Sequence, residues 1–108
     1  MWFNLRTEVK KPFEFLDSAT TKQIIRRIKA KKEYVEEFLG EVADFQISSH
    51  MNLDMPEAEI CWYTIEFCLD NADKFKKGYK AYILEYEDVY YIFVAKNKTE
   101  LVKRISQP

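Results

Sequence analysis

A stripe of apolar side chains at helical spacing constrains this chain more than any other feature of its sequence. Seven residues form the stripe: Ile24, Ile25, Ile28, Val35, Phe38, Leu39 and Val42. At 100° per residue they fall on one side of a helix, so the sequence predicts one long helix from about 20 to 39. Such a helix must bury its apolar side against a second layer of structure.

Residues suited to helix ends flank this predicted helix. Thr20 and Gln23, three residues apart, match a capping box at its start. Asp17 and Ser18 are alternative caps one turn earlier. Gly40 fits the position just past the helix end, where the backbone needs a positive φ.

After residue 42 the apolar period shortens from 3.6 to about 2, which is typical of strands. The predicted strands are 2–9 before the helix and 45–53, 58–69, 79–86 and 89–96 after it, the last two forming a hairpin around Glu87 and Asp88. Asn97 and Glu100 open a final short helix. Its inner side carries Leu101, Val102 and Ile105. The predicted order is therefore β-α-β-β-β-β-α.

The predicted fold class is α+β: an antiparallel sheet of four or five strands packed on one long N-terminal helix. Short links between consecutive strands favour the antiparallel pairing. In outline this resembles a cystatin-like or NTF2-like arrangement, in which a curved sheet cradles a helix. That resemblance concerns fold alone and implies no function. A chain of 108 residues has the length of one domain, so we expect a single domain over 1–108.

The overall charge of the chain favours neither nucleic acid nor an anionic membrane as a partner. Lys and Arg number 17, Asp and Glu number 18, and the net formal charge is −1. No apolar run approaches the length of a membrane span, and the first residues do not resemble a signal peptide. We therefore expect a cytoplasmic protein.

Cys61 and Cys68 lie seven residues apart within one predicted strand. An odd spacing in a strand points two side chains to opposite faces, so these cysteines cannot pair with each other there. We predict buried or half-buried free thiols, which fits a reducing compartment.

The second face of the predicted sheet is the main candidate for binding, because both faces are apolar and one helix covers only one of them. In one interpretation the N-terminal aromatic residues and the final helix cover the second face. In the other, part of it is exposed to a protein partner or to a second copy of the chain. The partner-binding candidates are Trp62, Glu66, Tyr82, Tyr86 and Tyr90. Aromatic residues make up 16% of the chain, and such residues are common in interfaces.

A basic segment within the predicted helix consists of Arg26, Arg27, Lys29, Lys31 and Lys32. Acidic residues follow from Glu33 to Glu41, so the simple interpretation is a solvated helix with i,i+4 pairs such as Lys29–Glu33. Lys32–Glu36 would be another such pair. A helix with its bases first and its acids second opposes its own macrodipole, which leaves a charged interface or nucleic acid as an alternative. The chain has no known nucleic-acid-binding signature, and this argues against nucleic acid.

The sequence shows no catalytic, metal or cofactor motif. His50 is the one histidine, and no spacing places it beside either cysteine. Three Cys and His residues in total, without a CxxC or HxxxH spacing, predict no zinc site. Two glycines cannot build a phosphate-binding loop.

Glu66 and Glu85 are acids within otherwise apolar predicted strands. We expect them to point outward or to pair with Lys80 or Arg6. Alternatively, each is a polar anchor in a pocket or at an interface.

These features favour a non-enzymatic protein-binding module that needs no cofactor and docks through an aromatic sheet face. An inhibitor of a partner protein, of the immunity-protein or phage anti-host type, has this general profile. Two alternatives stay open. One is a ligand-binding or enzymatic domain with a pocket between helix and sheet, and the other is nucleic-acid binding through the basic segment.

Overall fold

The computed structural model describes residues 13–48 and 57–106. Its elements are strand β1 (Phe13–Phe15), helices α1 (Ser18–Lys29) and α2 (Val35–Val42), strand β2 (Phe45–Ser48), helices α3 (Glu57–Asp70) and α4 (Ala72–Lys76), strands β3 (Lys80–Tyr86) and β4 (Val89–Ala95), and helix α5 (Lys98–Ser106). The predicted strand 2–9 and the end of the predicted strand 45–53 lie outside the described residues. None of these described helices combines the length and the apolar character that a membrane span requires.

The four strands form one mixed sheet in the order β1-β3-β4-β2. β3 pairs with β4 and β4 with β2 in the antiparallel sense, whereas β1 runs parallel to β3. The α+β class is confirmed, but the prediction of a wholly antiparallel sheet is wrong at β1. Several helices and a strand separate β1 from β3 along the chain, and so long a connection lets the chain return in the same direction.

The β3–β4 hairpin lies where the sequence predicts it. Tyr86 pairs with Val89, and the turn residues Glu87 and Asp88 have φ values of 47° and 66°. Positive φ at both central residues is the type I′ geometry, whose twist matches that of the paired strands. Since neither residue is Gly or Asn, the alternation of the strands predicts this hairpin better than its turn composition does.

The predicted single long helix is two helices, α1 and α2, and the cystatin-like or NTF2-like outline is not confirmed. The apolar stripe explains the break, because the positions three and four residues after Ile28 are Lys31 and Lys32. No apolar side chain at these positions holds the helix against the sheet, and α1 ends here. The backbone amides of Lys31 and Lys32 both donate to the Ile28 carbonyl oxygen, at 2.9 and 2.7 Å. All seven residues of the stripe nevertheless pack in one core.

The helix ends also differ in part from the prediction. α1 begins at Ser18 with Asp17 as its N-cap residue, the alternative to Thr20. Gly40 lies inside α2, which continues to Val42, and it does not adopt the positive φ expected of a helix end.

The predicted strand 58–69 is wrong, since these residues belong to helix α3. Its aromatic and β-branched residues favour strands intrinsically, and packing overrides that preference. Its buried residues lie on one side at 100° per residue, whereas a strand would point the adjacent Thr64 and Ile65 to opposite faces; they are Ile60, Thr64, Ile65 and Cys68. The fully buried Thr64 hydroxyl donates to the Ile60 carbonyl at 2.8 Å, so the helix itself satisfies this polar group.

The sheet lies between two helical layers. On its first face, α1, α2 and α5 pack over a core that contains Leu84 and Phe93. On its second face, α3 packs over Ile83 and Ile92. All four side chains are at most 1% exposed, which confirms the alternation predicted for β3 and β4. The final helix packs on the first face, so α3 and the phenylalanines of β1 cover the second face.

Gly78 ends helix α4 in a Schellman motif. Its φ is +91°. Its amide donates to the Phe75 carbonyl at 3.2 Å, and the Tyr79 amide donates to the Lys74 carbonyl at 3.4 Å. A methyl group added at Gly78 would have no neighbour within 4 Å, so only the backbone conformation opposes a larger residue.

We predict that Gly78→Ala lowers the free energy of unfolding by about 1 kcal/mol, the penalty for an L-residue in the left-handed region. Gly40→Ala is the contrasting variant. It should raise the free energy of unfolding by about 0.5–1 kcal/mol, because Gly40 has a helical backbone conformation. Its added methyl group would meet only the Gln46 Oε1 atom, at 3.9 Å. Urea unfolding measures both changes, and shifts of the same sign would contradict the two backbone conformations.

Candidate functional site

The five residues predicted to bind a partner lie on opposite sides of the sheet. Trp62 and Glu66 are exposed on α3, and Tyr90 is partly buried on the same side. Tyr82 is 4% exposed within the first core, and Tyr86 packs at the edge of that core. The five residues therefore do not form one surface. The prediction assumed an open second sheet face, and α3 covers that face.

Exposed large apolar side chains concentrate on the outer side of α3 and on the edge strand β2. Trp62, Tyr63 and Leu69 of α3 are 46%, 42% and 44% exposed, and Phe45 of β2 is 37% exposed. The fifth such side chain among the described residues is Tyr34, between α1 and α2. Singly scattered apolar residues are normal on a protein surface, whereas a group of this kind marks an interaction site more often.

We call this group, with the polar residues between its members, the α3 surface: Phe45, Trp62, Tyr63, Glu66, Phe67, Leu69 and Asp70. The Phe45 and Phe67 rings stack with their centroids 5.0 Å apart and their planes 17° apart, which joins β2 to α3. Beside the stacked rings is an open pocket of about 290 Å³, lined by all members of the surface except Trp62.

The charge of the α3 surface is negative. At 100° per residue, Glu66 and Asp70 form a ridge along the outer side of the helix, with Trp62 and Leu69 on one flank and Tyr63 on the other. The helix carries four acidic residues and no basic one. Within the described part of the chain, neither Glu66 nor Asp70 forms a salt bridge.

Sequence reasoning found two members of this surface, Trp62 and Glu66, and missed the other five, which are Phe45, Tyr63, Phe67, Leu69 and Asp70. In a strand, Tyr63 and Leu69 face away from Trp62, whereas helical geometry brings all three to the solvent side. The signal that could have found them is the odd spacing of buried residues such as Ile65 and Cys68, which share a side in a helix but not in a strand.

The basic segment ends α1, and its five side chains are exposed: Arg26, Arg27, Lys29, Lys31 and Lys32. Two of them reach Ser106 at the end of α5. Arg27 Nη1 lies 3.4 Å from Ser106 Oγ, and Lys31 Nζ donates to the Ser106 carbonyl at 3.2 Å. The segment thus places positive charge at the carboxyl ends of two helices, where it is stabilising.

The charge order along α1 and α2 follows the macrodipole of each helix. α1 has its bases in its last turn, and α2 has Glu36 and Glu37 in its first turn. The expectation that the basic segment opposes its helix is wrong, because the break falls between the two charge blocks. The i,i+4 pairs predicted for a continuous helix are not salt bridges among the described residues.

Glu14 of β1 binds two lysines. Its Oε1 lies 3.1 Å from Lys80 Nζ in β3, and its Oε2 lies 2.7 Å from Lys98 Nζ at the start of α5. The Lys98 hydrogen bond is the main cause of a lowered Glu14 pKa; burial opposes it and the Lys80 hydrogen bond adds to it. Lys80 therefore pairs with Glu14, whereas the predicted partners Glu66 and Glu85 are exposed.

Cys68 is poorly suited to act as a nucleophile. It is buried in α3, and burial raises the pKa of its thiol to about 12. Cys61 is partly buried and lies on the same side of the helix, not on the opposite face that a strand would give it. The described ranges contain no group of three or more His, Cys, Asp or Glu residues that could hold a metal ion. His50 lies outside those ranges.

We predict that iodoacetamide at pH 8 alkylates Cys61 in the native protein and leaves Cys68 unmodified. A pKa of about 12 leaves roughly one thiolate in 10,000 at that pH, and burial also blocks access. Tandem mass spectrometry after timed labelling measures both sites, with urea-unfolded protein as the control in which both react. Equal native rates would show that Cys68 is not buried.

We predict that Glu14→Gln lowers the free energy of unfolding at pH 7 by up to about 1 kcal/mol, the range of partly exposed ion pairs. A lowered carboxyl pKa contributes stability that is complete above its ordinary value of 4.5 and is lost as the pH falls through the lowered value. The variant and the natural protein should therefore converge in stability below pH 4.5. Urea unfolding across the acid range measures this, and a constant difference would contradict it.

Comparisons with known proteins add no information about the α3 surface. No family model, curated protein or solved structure gives a significant match to this chain. The functional argument therefore depends on the geometry and charge of the described residues.

Proposed function

We propose that this protein is a non-enzymatic protein-binding module that docks a partner through the α3 surface. The observation that carries the proposal is the grouping of four exposed large apolar side chains, Phe45, Trp62, Tyr63 and Leu69, on one side of the fold. Trp and Tyr are the side chains that most often dominate binding energy at protein interfaces. The proposed docking site is thus on helix α3 and not on the sheet face that the sequence predicts and that α3 covers.

Apolar burial alone does not give this surface a useful affinity. Full burial of a large apolar side chain is worth about 1.5–3 kcal/mol, and these four are already more than half buried. Their remaining exposed area represents roughly 2.5–5 kcal/mol in total, whereas a micromolar complex needs about 8 kcal/mol. A partner must therefore add further contacts, and charge is the next resource that the surface offers.

The partner surface that fits is apolar at its centre and basic around it. Glu66 and Asp70 lie between the apolar flanks, and α3 has no basic residue to neutralise them. A basic partner would be attracted at long range and would approach in a defined orientation. An inhibitor that covers the basic functional site of another protein has this chemistry, and we favour that class.

We predict that the double variant Trp62→Ala, Leu69→Ala weakens partner binding by at least about 30-fold, the factor of a hot spot worth 2 kcal/mol. Tyr34→Ala is the matched control, because Tyr34 is 60% exposed and lies outside the α3 surface. Both variants should retain the natural far-ultraviolet circular dichroism spectrum and unfold near the natural urea midpoint.

The partner can be identified by photo-crosslinking in cells of the source organism. A p-benzoylphenylalanine side chain at position 63 should crosslink one protein that the same group at position 34 does not. Calorimetry with that purified protein then compares the two variants. Equal crosslinking from both positions, or equal affinity for both variants, would refute the proposal.

A further inference from the structure

The pocket beside the stacked phenylalanines has a composition that selects its occupant. Phe45, Phe67 and Tyr63 supply aromatic walls, Leu69 supplies aliphatic surface, and the remaining lining residues are Glu66 and Asp70. At about 290 Å³ it lies at the lower limit for small-molecule sites, which span roughly 300–1,000 Å³. A pocket of this size suits one long side chain of a partner.

Charge decides which kind of side chain fits. An apolar side chain would bring a dry surface against two carboxylates, and the loss of their hydration is costly. An anionic side chain would be repelled. A cationic side chain neutralises the carboxylates while its apolar stem contacts the ring walls.

Among cations, arginine fits this lining better than lysine does. Its planar guanidinium stacks on aromatic rings, is weakly hydrated and donates to carboxylates in a two-pronged geometry. Lysine offers a compact ammonium that holds its water more strongly. Aromatic faces and two carboxylates in one pocket therefore favour a guanidinium.

No cation of the described chain forms a salt bridge with Glu66 or Asp70. The salt bridges formed by Lys80, Lys98 and Arg104 are to Glu14 and Asp44, outside the lining. Lys74 follows Asp70 by four residues, but Asn71 separates α3 from α4, and Lys74 and Asp70 form no salt bridge in the described chain.

We propose that the Phe45–Phe67 pocket binds an arginine side chain of the protein partner. This inference rests on the proposed function, because it names the group by which a partner engages the α3 surface. The stem and guanidinium of the arginine lie along the phenylalanine and tyrosine rings. Its nitrogens donate to Glu66 and Asp70.

The test uses blocked pentapeptides, acetyl-Gly-Ser-Arg-Ser-Gly-amide and the same peptide with citrulline in place of arginine. Citrulline keeps the shape and removes the charge. In an NMR titration of the isotope-labelled full chain, the arginine peptide should shift the amide signals of Phe67, Glu66 and Asp70 with millimolar affinity. The citrulline peptide should bind at least about fivefold more weakly.

Variants of the pocket separate charge from other effects. Glu66→Gln and Asp70→Asn should each weaken the arginine peptide about twofold to fivefold, the range for exposed ion pairs. Glu37→Gln removes an exposed acid from α2, outside the α3 surface, and should change nothing. The amide spectrum of each free variant shows whether it is folded.

In the peptide titration, three outcomes would overturn the inference: equal binding of the arginine and citrulline peptides, shifts that lie elsewhere on the molecule, or no shift at the highest soluble peptide concentration. Its failure is distinguishable from failure of the proposed function. Suppose that the crosslinked partner binds the Glu66→Gln and Asp70→Asn variants normally but does not bind the double variant Trp62→Ala, Leu69→Ala. The arginine pocket is then wrong, whereas the docking surface is supported. If the peptide binds as expected but the partner tolerates the Trp62 and Leu69 changes, the pocket does bind arginine, but the proposed docking surface for the partner is wrong.

Discussion

The β3–β4 hairpin is apolar on both faces, and the rest of the structure follows from the need to cover each face. Leu84 and Phe93 point to one side, Ile83 and Ile92 to the other, and all four are almost wholly inaccessible to water. One helix cannot satisfy such a ribbon. The chain therefore places α1, α2 and α5 on one side and α3 on the other. Because α3 is a single helix over a face of its own, its outer side is left to solvent.

The sequence predicts the hairpin and the residues of the first core well, because both depend on patterns within one element. The two-residue repeat of a strand assigns the side chains of β3 and β4 to two faces, and Asn97 caps α5 as expected by accepting from the Glu100 amide at 2.8 Å. The break between α1 and α2 is harder to predict, because no proline or glycine marks it. The break occurs because positions 31 and 32 are lysines where the apolar stripe would need an apolar residue. This matters only when the helix packs against a sheet.

Residue preference does not identify helix α3, because its composition favours a strand. The opposing signal is the odd spacing of buried residues such as Ile65 and Cys68. Positions four residues apart share a side in both a strand and a helix. For that reason Trp62 and Glu66 remain neighbours although the element was mistaken. Cys61 and Cys68, seven apart, share a side only in a helix. When a helix is mistaken for a strand, residues four apart are therefore still correctly placed on one side, whereas residues at an odd spacing are assigned to the wrong sides.

The parallel pairing of β1 with β3 has a consequence for the order in which the chain is made. Phe13 lies opposite Ala81 in the sheet, so the first described strand must wait for a partner 68 residues downstream. At 5–20 residues per second, translation takes about 3–14 s to supply that partner. A helix relaxes within about a microsecond, but helices of 12 and 8 residues such as α1 and α2 are marginal in water until a sheet packs against them. During those seconds the apolar stripe of α1 and α2 has no β3 or β4 to cover, so the first core closes only after the hairpin has been made.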